Sequence, residues 1–81
     1  MYVGSIGRNP IEPLGAVVFG NETWRLLDMN GMTMGYVVKW PTMFAYYRAD
    51  LDAGHERGWA LTYEEAVTAC RVTWFKDVGM I

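Results

Sequence analysis

Two runs of alternating character, Thr23–Met29 and Met32–Trp40, are separated by Asn30-Gly31. That dipeptide suits a type I′ turn, whose two central residues need positive φ and whose twist matches the strands it joins. The pair predicts a β-hairpin and fixes its register. Met29 falls opposite Met32, Leu27 opposite Met34, Arg25 opposite Tyr36 and Thr23 opposite Val38 on one side of the ribbon, with Trp40 further out. The other side carries Asp28 opposite Thr33, Leu26 opposite Gly35, Trp24 opposite Val37 and Glu22 near Lys39. The first side is the more apolar and is expected to meet the core. On the second, Trp24 is expected to lean over the bare backbone of Gly35.

Further strands flank this hairpin. Gly15–Phe19 is a short β-branched run followed by Gly20-Asn21, a dipeptide of tight turns. Pro41-Thr42 breaks the chain, and Met43–Ala49 reads as another strand. There Met43, Ala45 and Tyr47 point one way, and Phe44, Tyr46 and Arg48 the other. Asp50–Gly58 is a polar loop, and Trp59-Ala60-Leu61 leads back into the body. Residues 1–13, with Gly4, Gly7, Pro10 and Pro13, read as an irregular arm with a short strand at Tyr2-Val3.

A helix follows. Thr62 and Glu65 form a capping box, Leu61 and Ala66 fit the staple positions, and Glu64-Glu65 suit the positive end of the helix dipole. The helix is expected over 62–77, with Gly79 ending it. Tyr63, Ala66, Val67, Cys70 and Trp74 make the buried stripe, and Glu64, Thr68 and Arg71 the wet side. Val72 and Phe75 fall close to that wet side.

The fold class predicted is α+β: an antiparallel meander of three to four strands (14–61, with its polar loop) and one C-terminal helix packed on one face. A chain of 81 residues has room for one such domain, burying roughly 63% of its unfolded surface. One helix covers one face of the sheet, so the other face is solvated, paired with a second copy or occupied by a partner.

Chemistry is sparse. One Cys (Cys70) closes no intramolecular disulfide and, lying on the apolar stripe, reads as a small buried hydrophobe. The one acidic and imidazole cluster is Asp50, Asp52, His55 and Glu56 in the polar loop, which lacks the full spacing of a calcium site. No nucleophile or pocket is in sight for His55. Gly4-x-x-Gly7 is no phosphate loop. The expectation is a non-enzyme with no cofactor and no metal. A net charge of −2 disfavours nucleic acid and anionic membranes as partners. A weaker alternative stacks single-stranded bases on Arg25, Tyr36, Trp40, Phe44, Tyr46 and Arg48. No secretory signal or membrane span is read, which points to the cytoplasm.

What the composition does supply is interface chemistry, with four Trp, five Tyr, three Phe and six Met in a small chain. Trp24, Phe44, Tyr46, Arg48, Val72 and Phe75 are hot-spot types placed where the helix–sheet core is not expected to use them, so they are the candidate partner contacts. Self-assembly through an open face or edge is the second use of the same surface.

The junction Gly58-Trp59-Ala60-Leu61-Thr62-Tyr63-Glu64-Glu65-Ala66, following a meander, resembles the strand-to-helix entry of HicB-type antitoxins. The organisation as a whole, a short, slightly acidic α+β chain without catalytic motifs, is similar to small phage-encoded inhibitors of the anti-CRISPR type. That resemblance implies a stoichiometric binder that occludes a host or phage protein complex.

Overall fold

A computed structural model describes residues 10–79. The expected arm, residues 1–13, lies mostly outside that range, as does its short strand at Tyr2-Val3. Five strands run in chain order: β1 Ile11–Val18, β2 Asn21–Leu27, β3 Thr33–Lys39, β4 Phe44–Tyr47 and β5 Gly58–Ala60. They form one antiparallel sheet in the order β1-β2-β3-β4-β5, and helix α1, Tyr63–Asp77, packs on one face. The architecture is α+β, with five strands among the described residues where the sequence predicts three to four. β5 has three residues, too few for an alternation to show.

β1 begins at Ile11, inside the segment expected to be irregular. It is an edge strand, where Pro13 lacks only an N–H that an inner strand would need. Register shifts after Pro13 and after Ala16 kink it, and Gly15 takes a φ of +77° at the first. With a kinked β1 on one side and a three-residue β5 on the other, both edges are poor templates for further pairing.

The β2–β3 hairpin keeps the expected register from Thr23↔Val38 to Leu26↔Gly35. Its tip does not. Leu27 pairs with Thr33, so Met34 is an extra residue and turns toward the helix. The cause is Asp28, whose carboxylate accepts from the N–H groups of Asn30 and Met32, both at 2.8 Å. With Gly31 N–H bonded to the Asp28 carbonyl and Gly31 at φ +83°, the loop holds three residues rather than the two of a type I′ turn. Met29 and Met32, expected over the core, are exposed at this tip.

The helix covers the side opposite to the one expected. Leu26, Met34 and Val37 are buried against Ala66, Val67 and Cys70, with Trp24, Phe44, Tyr46, Tyr63, Trp74 and Phe75 packed around them. Two residues decide this. Gly35 leaves a gap into which Cys70 fits, its thiol donating toward the Tyr47 carbonyl at 3.7 Å, and it is Cys70 rather than Trp24 that covers the glycine. Arg25, on the other side, would have put a guanidinium under the helix; it pairs instead with Glu12 on β1, Nη2 to Oε1 at 2.5 Å. Counting apolar positions weighs neither effect.

The face away from α1 holds a second core of Val18, Tyr36, Val38, Ala45 and Tyr47, with Leu14, Trp40 and Leu51 packed against it. Buried Thr23 is satisfied there, accepting from Val18 N–H and donating to the Asn21 carbonyl. The 48–57 loop contributes to this core through Leu51, and Glu56 accepts from the Tyr47 hydroxyl at 3.3 Å.

α1 starts as predicted. Thr62 accepts from Glu65 N–H at 3.1 Å, and the Glu65 carboxylate takes the Thr62 hydroxyl in return. Leu61 does not act as a staple; it is exposed. Burial pushes the Cys70 thiol up to about 12, with Arg57 and Arg71 pulling weakly against it. The native state therefore carries far less thiolate than the unfolded chain at neutral pH. Alkylation of native Cys70 by iodoacetamide should track global unfolding. The raised value also means that this group's contribution to stability is full below its ordinary value of 9.0 and is lost as pH rises toward 12.

Candidate interaction surface

The inverted helix placement re-sorts the six candidate contacts. Trp24 and Phe44 meet Tyr63 of α1, with ring centroids 5.0 Å (Trp24–Tyr63), 6.1 Å (Phe44–Tyr63) and 6.4 Å (Trp24–Phe44) apart. The three rings and the Glu22 and Lys39 side chains line an open groove of about 460 Å³. Burial raises the Tyr63 phenol pKa, the Arg71 charge pulls it back and Glu64 adds to the rise. Tyr46 is spent within the fold: a side chain at Gly58 would run into its ring and hydroxyl, so the tyrosine stands in for the one glycine lacks. Phe75 packs edge-on against Trp74 at 5.3 Å and joins the helix-side core. Val72 stays exposed on α1. Arg48 is exposed at a separate, smaller cleft beside Trp74 and Asp77. Of the six, only Trp24 and Phe44 are brought together in one groove. The ground for choosing Trp24, Phe44, Tyr46 and Phe75, that the helix–sheet core leaves them free, does not hold.

The surface that sequence reasoning missed lies on the other face. Phe19, Trp40 and Trp59 form a row with successive centroids 5.9 Å apart and ring planes tilted by 45° and 52°. The row draws on the β1–β2 turn, the residue after β3 and the centre of β5. These meet at one end of the sheet because every connection in the meander reverses direction. Between them, Ala45 is opposite both Val38 and Trp59, and its methyl leaves space for indoles on either side. Phe19 is 69% exposed and Trp59 45%; Leu61, two residues beyond Trp59, is 73% exposed. Trp40 anchors the middle, half-buried against the second core. Its Nε1–H lies out of water without a hydrogen bond of good geometry, yet the Tyr47 phenol feels it, a small pull downward against the larger upward push of burial.

Phe19 is held there at a backbone cost. Val18 pairs with Asn21, so Phe19-Gly20 is a two-residue loop, with φ +49° at Phe19 and +76° at Gly20. This is where the type I′ geometry occurs, one residue before the expected Gly20-Asn21 turn. The left-handed region is uncommon for any residue with a Cβ and an outlier for a bulky one. Asn21 braces the turn through bonds from its amide to the Val18 and Phe19 carbonyls.

The polar loop divides its ionisable groups among separate tasks. His55 Nδ1 is 2.9 Å from Asp52, both exposed, while Glu56 turns to Tyr47. Among the described residues, no three or more His, Cys, Asp or Glu side chains converge as a metal site. Arg57 bonds Asp77 and holds its carboxyl below the usual carboxylate range. Among the described residues, no helix is long and apolar enough to cross a membrane. The chain matches no family model, no curated protein and no solved structure.

Proposed function

We propose that this protein is a non-enzymatic protein-binding module that occludes part of a partner protein, using the Phe19–Trp40–Trp59 row as its contact surface. The observation carrying this reading is Phe19, a large apolar ring left mostly in water on a backbone conformation that disfavours it. Strain of this kind concentrates at functional positions, and a turn built for stability alone would use Asn or Gly there. Aromatic anchors set on a rigid sheet are the side chains that dominate protein interfaces. Occlusion is the mode implied by the likeness to small inhibitor proteins.

Base stacking on the same row is the less favoured use. The cation described on that face, Arg25, is already held by Glu12, whereas strand binders line their aromatics with free positive charge.

Phe19→Asn separates the two roles of the residue. Relief of roughly 1–2 kcal/mol of strain outweighs a lost ring contact of roughly 0.5–1 kcal/mol, so stability should rise slightly in thermal unfolding. Capture of partner from nuclease-treated bacterial lysate should fall with the same variant. Recovery of nothing but the protein itself, or of nucleic acid lost on nuclease treatment, would overturn the reading.

A further inference from the structure

Trp24, Phe44 and Tyr63 come from β2, β4 and the start of α1, and no two of their rings are parallel. The planes meet at 65° (Trp24–Tyr63), 70° (Phe44–Tyr63) and 43° (Trp24–Phe44). All three are half-buried and packed on the helix-side core, so the fold holds them in place before anything binds. Such a set offers no flat platform to a nucleobase, which would rest on one ring and meet the edges of the others. A rounded apolar group suits the open groove that the rings line. Their electron-rich faces favour that group further if it carries positive charge.

The two other lining residues carry opposite charges. Lys39 pairs across the sheet with Phe44, and Glu22 lies two residues before Trp24 on the same face of β2. Both are exposed, and neither forms an ion pair among the described residues. The groove therefore presents one acid and one base whose charges are not spent on each other. Arg71 and Glu64, which the Tyr63 phenol feels with opposite signs, are not among the residues that line it.

We propose that this groove binds a small zwitterion with a quaternary ammonium at one end and a carboxylate at the other. The methylated cation sits on Trp24, Phe44 and Tyr63 beside Glu22, and Lys39 meets the carboxylate. Charge complementarity carries the assignment. A simple cation leaves Lys39 opposed, a simple anion leaves Glu22 opposed, and a neutral sugar uses neither charge. A quaternary ammonium also has no N–H donors, so it gives up no hydrogen bonds to water when it settles on the rings. The aromatic row lies on the opposite side of the sheet, so this site stands or falls independently of it.

The test is a titration of the full chain followed by nitrogen-15 NMR, with the Trp24 indole N–H assigned through Trp24→Phe and the Phe44 amide as second reporter. The probes are glycine betaine, the tert-butylacetate anion (carbon in place of the charged nitrogen), tetramethylammonium (no carboxylate) and cellobiose. Glycine betaine should move both signals saturably and bind at least about threefold more tightly than either singly charged probe. Glu22→Gln should narrow its advantage over tert-butylacetate, and Lys39→Gln its advantage over tetramethylammonium. Both side chains are exposed, so the unfolding midpoints of these variants should stay within about 3 °C of the parent. No saturable shift by about 50 mM glycine betaine overturns the proposal. So does equal affinity for either singly charged probe, tighter binding of cellobiose, or an unchanged preference in both variants.

Discussion

Gly35→Ala is expected to destabilise the protein by more than about 3 kcal/mol, a large part of what a domain of this size has. A methyl group at this position would run into Cys70 Sγ and lie 2.6 Å from the Tyr47 carbonyl oxygen. The first contact belongs to a side chain and the second to the backbone of the neighbouring strand. Relief requires α1 to lift from β3, opening the helix-side core of Leu26, Met34 and Val37. The double variant Gly35→Ala with Cys70→Ala should recover only part of the loss, since the clash with the Tyr47 carbonyl remains. Urea denaturation of the three proteins checks this, and a single variant as stable as the parent would mean that the helix does not seat on Gly35.

Trp59→Ala is expected to weaken partner binding by about 2 kcal/mol, roughly 30-fold, with under about 1 kcal/mol lost from folding. The indole is nearly half exposed on a three-residue edge strand, and its described ring contact is with Trp40. Truncation therefore removes contact surface without opening a core cavity. Tyr46→Ala is the informative contrast. Its ring fills the space over Gly58, so the substitution should cost roughly 2–3 kcal/mol of stability. Calorimetric titration against the captured partner, with thermal unfolding of each variant, separates the two behaviours.

The alternation from Thr23 to Leu26 against Gly35 to Val38 was legible because period-2 burial and a nearby turn both point to one register. The capping box at Thr62 and the stripe Ala66, Val67, Cys70 were legible for the same reason: local preference and tertiary packing agree. The bulge at Met34 was not. It depends on a competition for the Asn30 and Met32 N–H groups that Asp28 wins. Nor was the choice of face, which a gap at Gly35 and a charge at Arg25 settle against the larger count of apolar side chains. That inversion moved the candidate site from the strand positions of Trp24, Phe44 and Tyr46 to the end of the opposite face. Phe19 escaped notice because propensity argues against a phenylalanine in a type I′ turn. Local rules fail at this residue, and a site under functional demand is where such failures are expected.

Hydrogen–deuterium exchange on the free protein and on its complex with the captured partner tests the placement of the binding surface most directly. Slowed exchange in the complex at Phe19–Gly20, around Trp40 and across Trp59–Leu61 is the predicted result. Protection confined to α1 or to the β1 edge, with those three segments unchanged, would contradict it.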